Sequence, residues 1–289
     1  MNRMALGTVQ FGLPYGIANQ TGQVSQVDVK AMLQLATNRG VDTLDTAISY
    51  GHSESCLGEL GTEGFKVVTK LPALPDGCQD VGSWVEQQMS DSLSRLRVNS
   101  VYGLLLHRSQ QLLGLNGFSL NQAMQKLKDQ GKVQKIGVSI YSPSELELLT
   151  PKFSLDLVQA PFNLLDQRLS HSGWLGRLKD RGIEIHTRSV FLQGLLLISK
   201  EKIPTKFLVW HSLWDSWHRW LSCHEISAVE ACLAFPLSYA EIDRVVVGVD
   251  NLQQLDQIMN LANKQPINDL PDLQIEDENL INPANWDKF

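Results

Sequence analysis

Four residues of this chain have the types and spacing to move a proton: Asp45, Tyr50, Lys70 and His107. Three of them close short β-type runs. Thr43–Asp45 ends in the carboxylate, Phe65–Lys70 ends in the amine, and Val101–Leu106 runs into the imidazole. Tyr50 follows Asp45 by five residues. If those runs are neighbouring strands, the four groups converge over one end of a sheet. A free phenol, with a pKa of about 10, is a poor acid at neutral pH. An adjacent ammonium stabilises the phenolate and makes the phenol a better donor. Lys70 is placed for that task, and Asp45 for holding the ammonium by an ion pair. Tyr50 and His107 would both reach a bound carbonyl oxygen. Proton donation of this kind is worth roughly 10²–10⁴ in rate. No side chain supplies hydride, so carbonyl reduction here implies a nicotinamide cofactor.

Each residue alone has a duller explanation. Asp45 suits a turn, Tyr50 a packed aromatic, Lys70 a surface strand end and His107 a structural histidine. Their joint fall on three successive strand ends favours chemistry. A lyase using Lys70 as a Schiff-base amine explains the lysine but leaves Asp45 and Tyr50 idle. His211, Asp215 and His218 sit on nearby turns, yet no Glu or Cys completes a zinc set, so no metal is expected. Gly12–Gly22 is glycine-rich but lacks a phosphate-loop lysine and a dinucleotide fingerprint; it reads as a long first loop at the mouth of the fold.

The positioning elements follow from the pattern. Eight mostly continuous apolar runs recur: Ala5–Val9, Thr43–Asp45, Phe65–Lys70, Val101–Leu106, Lys135–Ser139, Leu157–Gln159, Ile183–Thr187 and Arg244–Val247. Continuous rather than alternating runs suit strands covered on both faces. Helical sequence lies between them. Ser25 caps one helix with Asp28 three residues on, and Gly40 closes it. Leu120, Ala123, Met124 and Leu127 repeat at helical spacing before Gly131, and Leu252, Leu255 and Met259 mark a late helix. The expectation is an α/β fold, a (β/α)₈ TIM barrel of eight parallel strands with outer helices. Residues 1–289 read as a single domain, with an extra helical segment at about 199–222 and an extended tail at about 266–289. Trp210, Trp214 and Trp217 repeat at i, i+4 and i+7, either as a core-facing stripe or as a roof over a substrate. Tyr15, His107, Trp210 and Trp214 are the candidate pocket residues.

Composition removes several function classes. A net charge of −6 gives no drive toward nucleic acid. No apolar run has the length of a signal peptide or a membrane span. Cys56, Cys78, Cys223 and Cys232 show no CxxC spacing and read as reduced thiols of a cytoplasmic protein. With no second apolar face visible, a monomer acting on a small molecule is expected.

The segment Leu44-Asp45-Thr46-Ala47-Ile48-Ser49-Tyr50-Gly51 resembles the signature of the aldo-keto reductase family. Val67-Val68-Thr69-Lys70 is similar to its lysine strand, and Leu104-Leu105-Leu106-His107 to its histidine strand. The resemblance implies Tyr50 as acid, Lys70 as its activator, Asp45 as support for Lys70, and His107 as orienter of the carbonyl. It extends along nearly the whole chain. Gly7 and Thr8 match the first glycine turn. Ser139 and Gln159, with Asn163 nearby, match the nicotinamide carboxamide contacts. Ser189 and Gln193-Gly194-Leu195 match the loop over the pyrophosphate, and Gly248, Asp250 and Gln254 the adenosine end.

The sequence also departs from the family. Ile140 replaces an Asn that commonly follows Ser139, and Arg188 stands where an aromatic ring commonly stacks on the nicotinamide; a planar guanidinium can stack there instead. Ile258 replaces an Asn that meets the adenine. Asp250 would repel the 2′-phosphate of NADP and accept a ribose hydroxyl. Family habit thus points to NADP(H), and local chemistry to NAD(H) or dual use. The implied activity is NAD(P)H-dependent reduction of an aldehyde or ketone. The departures also admit a nicotinamide-binding regulatory or redox-sensing subunit with little turnover.

Overall fold

The computed structural model describes residues 2–288. Eight parallel strands close into a barrel in chain order: β1 (Met4–Gly7), β2 (Thr43–Asp45), β3 (Lys66–Leu71), β4 (Val101–Leu106), β5 (Val133–Ser139), β6 (Leu157–Pro161), β7 (Glu184–Arg188) and β8 (Arg244–Gly248). All eight runs read from the sequence are strands; Thr43–Asp45 and Val101–Leu106 keep both ends, and the other six shift by one or two residues at one end or both. The largest change is at Ala5–Val9, where the strand closes at Gly7 because Val9–Gly12 forms a helical turn.

The longer helices outside the barrel are α1 (Gln26–Asn38), α2 (Ser53–Leu60), α3 (Val81–Leu96), α4 (Gly117–Asp129), α5 (Ser144–Leu149), α6 (Trp174–Asp180), α7 (His211–His224), α8 (Ala228–Leu237) and α9 (Leu252–Leu261). The Ser25 hydroxyl accepts the Asp28 N–H at 3.2 Å and starts α1, and Gly40, at φ +75°, reverses the chain after it.

Register decides which side chains enter the barrel. Gly7 pairs with Asp45, Asp45 with Val68, Lys70 with Leu105, and Ser139 with Gln159. Paired residues of a parallel sheet share a face, so these form an inward column. Val68, Leu105 and Leu157 make an apolar interior layer, with Tyr102 packed against it. Near the N-terminal ends of the strands, Glu184 accepts from Tyr102 at 2.6 Å and contacts His186 at 2.8 Å, and Arg244 pairs with Asp42 at 3.0 Å. That face reads as stability, and the opposite mouth as chemistry.

The region after β7 holds 3₁₀ turns at Lys200–Lys202 and Thr205–Trp210, then α7, which runs to His224. The tail carries no regular element from 266 to 277, then a turn at Glu278–Ile281 and a 3₁₀ segment at Pro283–Lys288. Leu273, Leu280, Ile281 and Trp286 are buried, and the Ile275 N–H donates to the Leu165 carbonyl at 3.0 Å, stitching the tail to the barrel. Among the described residues no helix is long and apolar enough to cross a membrane.

Candidate active site

The C-terminal mouth brings Asp45, Tyr50, Lys70 and His107 together. Lys70 is fully buried, and its Nζ donates to Asp45 Oδ2 at 2.7 Å and to the Thr46 carbonyl at 2.8 Å. Two of the three ammonium N–H groups are thereby spent. Nζ also lies 5.0 Å from the centroid of the Tyr50 ring. Burial works against the ammonium, but the Asp45 carboxylate and then Tyr50 outweigh it and raise the Lys70 pKa. A lysine held as ammonium is not the free amine a Schiff base needs, so the geometry goes against the lyase reading.

The carboxylate is in turn held from the far side of the barrel. Gln159 Nε2 donates to Asp45 Oδ1 at 2.6 Å, and the Ser139 hydroxyl donates to Gln159 Oε1 at 3.4 Å. One buried relay thus runs from β5 through β6 and β2 to β3.

Tyr50 is placed by its loop. The Ser53 hydroxyl donates to Thr8 at 2.8 Å, and the Thr8 hydroxyl donates to the Asp45 carbonyl at 3.0 Å. These buried contacts pin the turn after β2. Gly12 packs on the same turn, where a Cβ would fall 1.9 Å from the Tyr50 carbonyl oxygen. His107 meets Tyr50 edge-on, with centroids 5.8 Å apart, and its Nδ1 lies 3.2 Å from the Ser49 hydroxyl. Burial, then the charges of Lys70 and Arg188, push the His107 pKa down to about 4. The ring is therefore neutral at physiological pH, with one nitrogen engaged by Ser49.

A cleft of about 560 Å³ opens beside this cluster. Its lining includes Gly7, Thr8, Tyr15, Asp45, Tyr50, His107, Gln159, Arg188, Ser189, Gln193, Gly194, Gly248, Asp250 and Gln254, all singled out in the sequence. Ser139, Lys70 and Leu195 lie behind the wall, buried.

Trp210 and Trp214 do not line the cleft, and the pocket expectation for them is corrected. Trp214 is buried with its indole N–H on the Phe207 carbonyl at 2.8 Å, and the Trp210 N–H reaches Asp277 of the tail at 3.2 Å. Large amphipathic rings with satisfied N–H groups form a core face here. Trp217 donates to the Leu196 carbonyl at 3.1 Å, so α7 buttresses the loop after β7 rather than roofing a substrate.

Four residues that sequence reasoning did not single out belong to the site. Ser49 contacts His107. Tyr141 lines the cleft, and the Arg188 guanidinium carbon sits 4.9 Å from its ring centroid. Gln10 also lines the cleft, with its Oε1 buried and unpartnered. Asn19 donates to Asp250 Oδ1 at 2.8 Å. Tyr141 stands two residues past the end of β5, so inspecting positions just beyond each strand would have found it; the others depend on loop paths.

The first loop crosses the cleft. The Ile17 N–H donates to the Gln193 carbonyl at 3.2 Å, the Gln193 amide donates to the Tyr15 hydroxyl at 3.1 Å, and Asn19 reaches Asp250. The opposing loop is strained, with positive φ at Ser189, Leu192 and Gln193, of the kind that clusters at ligand sites.

The aldo/keto reductase family profile matches residues 3–271. The chain belongs to the aldo/keto reductase family. It is 27% identical to the D-threo-aldose 1-dehydrogenase of a Pseudomonas species, over 88% of this chain and 89% of that one. It is 26% identical to the L-galactose dehydrogenase of Arabidopsis thaliana, over 90% and 84%. The fold matches that of the aldo-keto reductase AKR11C1 from Bacillus halodurans at a TM-score of 0.72, with 16% identity over 92% of this chain and 88% of that one. This aldo/keto reductase is accordingly an oxidoreductase, and its family uses NAD(P)H.

The cleft suits that cofactor. Backbone is bare at Gly7, Gly16, Gly194 and Gly248, and a Cβ on Gly248 would come within 2.7 Å of the Gln10 amide. The unpaired Gln10 oxygen is an acceptor that a bound group would satisfy.

Proposed function

We propose that this enzyme reduces an aldehyde or ketone to an alcohol, with Tyr50 as proton donor. NAD(P)H, when bound, supplies the hydride. Tyr50 gives its phenolic proton to the carbonyl oxygen. The Lys70 ammonium stabilises the phenolate left behind, and Asp45 keeps that ammonium in place. His107 acts in the tautomer that accepts from the Ser49 hydroxyl at Nδ1, 3.2 Å away, and presents Nε2–H as a neutral donor to the same oxygen. Gln159 positions Asp45 from across the barrel.

The observation that carries this reading is the buried Lys70 amine, held between Asp45 at 2.7 Å and the Tyr50 ring at 5.0 Å, beside an open cleft. The names of the two curated relatives bring sugar carbonyls forward as substrates. Tyr50→Phe should retain nucleotide binding and lose turnover by roughly 10²–10⁴. Full reductase activity in that variant would remove Tyr50 from the mechanism.

Asp250 supports NAD(H) over NADP(H). Beyond β8 it stands with Gln254 and Gln257, facing Asn19 of the first loop; among the described lining residues there is no Lys, and the one Arg, Arg188, lies at the end of β7. Burial raises its pKa against the amides of Gln254 and Asn19, which lower it. A 2′-phosphate beside Asp250 would meet a carboxylate, and the segment beyond β8 brings no Lys or Arg to the cleft. Fluorescence titration should give at least about tenfold tighter NADH than NADPH, the factor that one charged hydrogen bond supplies.

The first loop's contacts with Gln193 and Asp250 favour a second reading, a subunit that retains its nucleotide and turns over slowly. A rapid single turnover followed by negligible steady-state activity across carbonyl substrates would select it.

A further inference from the structure

The first loop and the loop after β7 meet over the cleft, and only one of them is built to stay in place. The β7 loop is anchored from below. Leu192, Leu195 and Leu196 are buried, Trp217 of α7 donates to the Leu196 carbonyl at 3.1 Å, and the Asn163 amide donates to the Ser189 carbonyl at 2.9 Å. Moving that loop would uncover apolar core and leave buried polar groups unpaired.

The first loop is the opposite case. Residues 13–23 carry no helix or strand, and none of them is buried. The feet of the loop are fixed side by side. The Val24 N–H donates to the Gln10 carbonyl at 2.9 Å, and the Gln23 amide donates to the Phe11 carbonyl at 2.8 Å. Gly12 and Val24, on either flank, are buried. A loop with a closed neck and no core residue of its own can swing as a unit. Asn19 stiffens its tip: the side-chain oxygen accepts from the N–H groups of Thr21 at 3.1 Å and Gly22 at 2.7 Å.

Three hydrogen bonds and one close contact hold the loop down. The Ile17 N–H donates to the Gln193 carbonyl at 3.2 Å, the Gln193 amide donates to the Tyr15 hydroxyl at 3.1 Å, and the Asn19 amide donates to Asp250 Oδ1 at 2.8 Å. Ala18 packs so closely on Gly194 that a Cβ added to the glycine would stand 2.6 Å from the alanine Cβ. Gln193 and Gly194 follow β7 and Asp250 follows β8, so the loop bridges two walls of the cleft. The bridge rests on residues that fit the nucleotide, and a nucleotide reaching them has to pass it.

We propose that the first loop is the gate for nucleotide exchange: it swings about its neck while the β7 loop stays fixed, and its opening sets how fast NAD(P)H enters and leaves. Every latch joins protein to protein, so the bridge closes with or without the nucleotide. The proposal rests on the reading of this cleft as a nucleotide site and adds which element must move.

Stopped-flow fluorescence with NADH tests it, without a carbonyl substrate. In wild type the observed binding rate should level off as NADH rises, because a first-order opening step becomes limiting. Asn19→Asp keeps the oxygen that accepts from Thr21 and Gly22 but sets a carboxylate against Asp250; the plateau should rise about tenfold or more. Tyr15→Phe loosens the contact with Gln193, away from Asp250. It should speed entry and release alike, by about two- to tenfold, and leave the dissociation constant close to the wild-type value. Hydrogen exchange should quicken at residues 13–23 in both variants and stay slow at residues 192–196. An observed rate that grows in proportion to NADH without levelling overturns the proposal, as does a plateau that neither variant moves. A Tyr15→Phe protein that releases NADH faster but takes it up no faster has lost a nucleotide contact, and that also overturns the gate. Fast, unlimited binding keeps the nucleotide site and loses the gate; no binding of NADH or NADPH removes the nucleotide site and the gate with it.

Discussion

Replacing Lys70 with Met should separate what the buried ion pair does for stability from what it does for turnover. Lys70 and Asp45 have side chains only 1% and 6% exposed, with N and O 2.7 Å apart. Removing the ammonium strands the carboxylate in the barrel, and breaking a buried pair from one side costs about 3–5 kcal/mol. At roughly 2–4 °C per kcal/mol for a domain somewhat smaller than this one, the melting temperature should fall by about 10 °C. The second variant, Asp45→Asn with Lys70→Met, removes the stranded charge. Its Asn oxygen can still accept from Gln159 Nε2, which donates to Asp45 at 2.6 Å. The residual loss should be about 1 kcal/mol, because the Thr46 carbonyl, now bonded to Nζ at 2.8 Å, loses its donor. Urea titration and thermal melts of the four proteins close a double-mutant cycle. NADH oxidation with a carbonyl substrate should be lost by roughly 10²–10⁴ in both variants, including the one whose stability returns. A Lys70→Met protein as stable as wild type would refute the description of an ionised, buried pair. Recovery of activity along with stability in the double variant would refute the part assigned to the ammonium.

His107 makes a pH-dependent contribution. Its native pKa of about 4 lies below the unfolded value of about 6.5, so the unfolded chain binds more protons between them. The stability it confers is complete above pH 6.5 and is lost as the pH falls toward 4, with a ceiling of about 3 kcal/mol that partial solvent access reduces. His107→Asn should flatten the urea-derived stability profile in that window, and a wild-type profile with no slope there would contradict the assignment. Gly12→Ala should push the Tyr50 turn, since its Cβ would meet the Tyr50 carbonyl oxygen at 1.9 Å and the Ser53 nitrogen at 2.5 Å. We expect a loss of about 1–3 kcal/mol by thermal melt and at least about tenfold in kcat/KM. Gly176→Ala is the control: nothing lies within 4 Å of its added Cβ in α6, and it should be neutral or slightly stabilising.

The barrel was legible because parallel strands covered on both faces must be apolar throughout. Val101–Leu106 and Leu157–Pro161 show this, with almost every residue buried. The meeting of Asp45, Lys70 and His107 was legible for a related reason. Each lies within one residue of a strand's end, and consecutive strands of a closed barrel are neighbours, so sequence order becomes spatial order. Tyr50 needed one further assumption, a turn short enough to return its ring over the mouth. The hydroxyl contacts of Thr8 and Ser53 with that turn supply it.

What escaped the sequence depends on groups far apart along the chain. A stripe of Trp at helical spacing has the same pattern whether it faces a substrate or a core. The choice was made by two carbonyls, of Phe207 and Leu196, that satisfy the indoles of Trp214 and Trp217 inside the protein. Gln159 and Asp45 lie 114 positions apart, yet they share a hydrogen bond, because β6 and β2 face each other across the barrel.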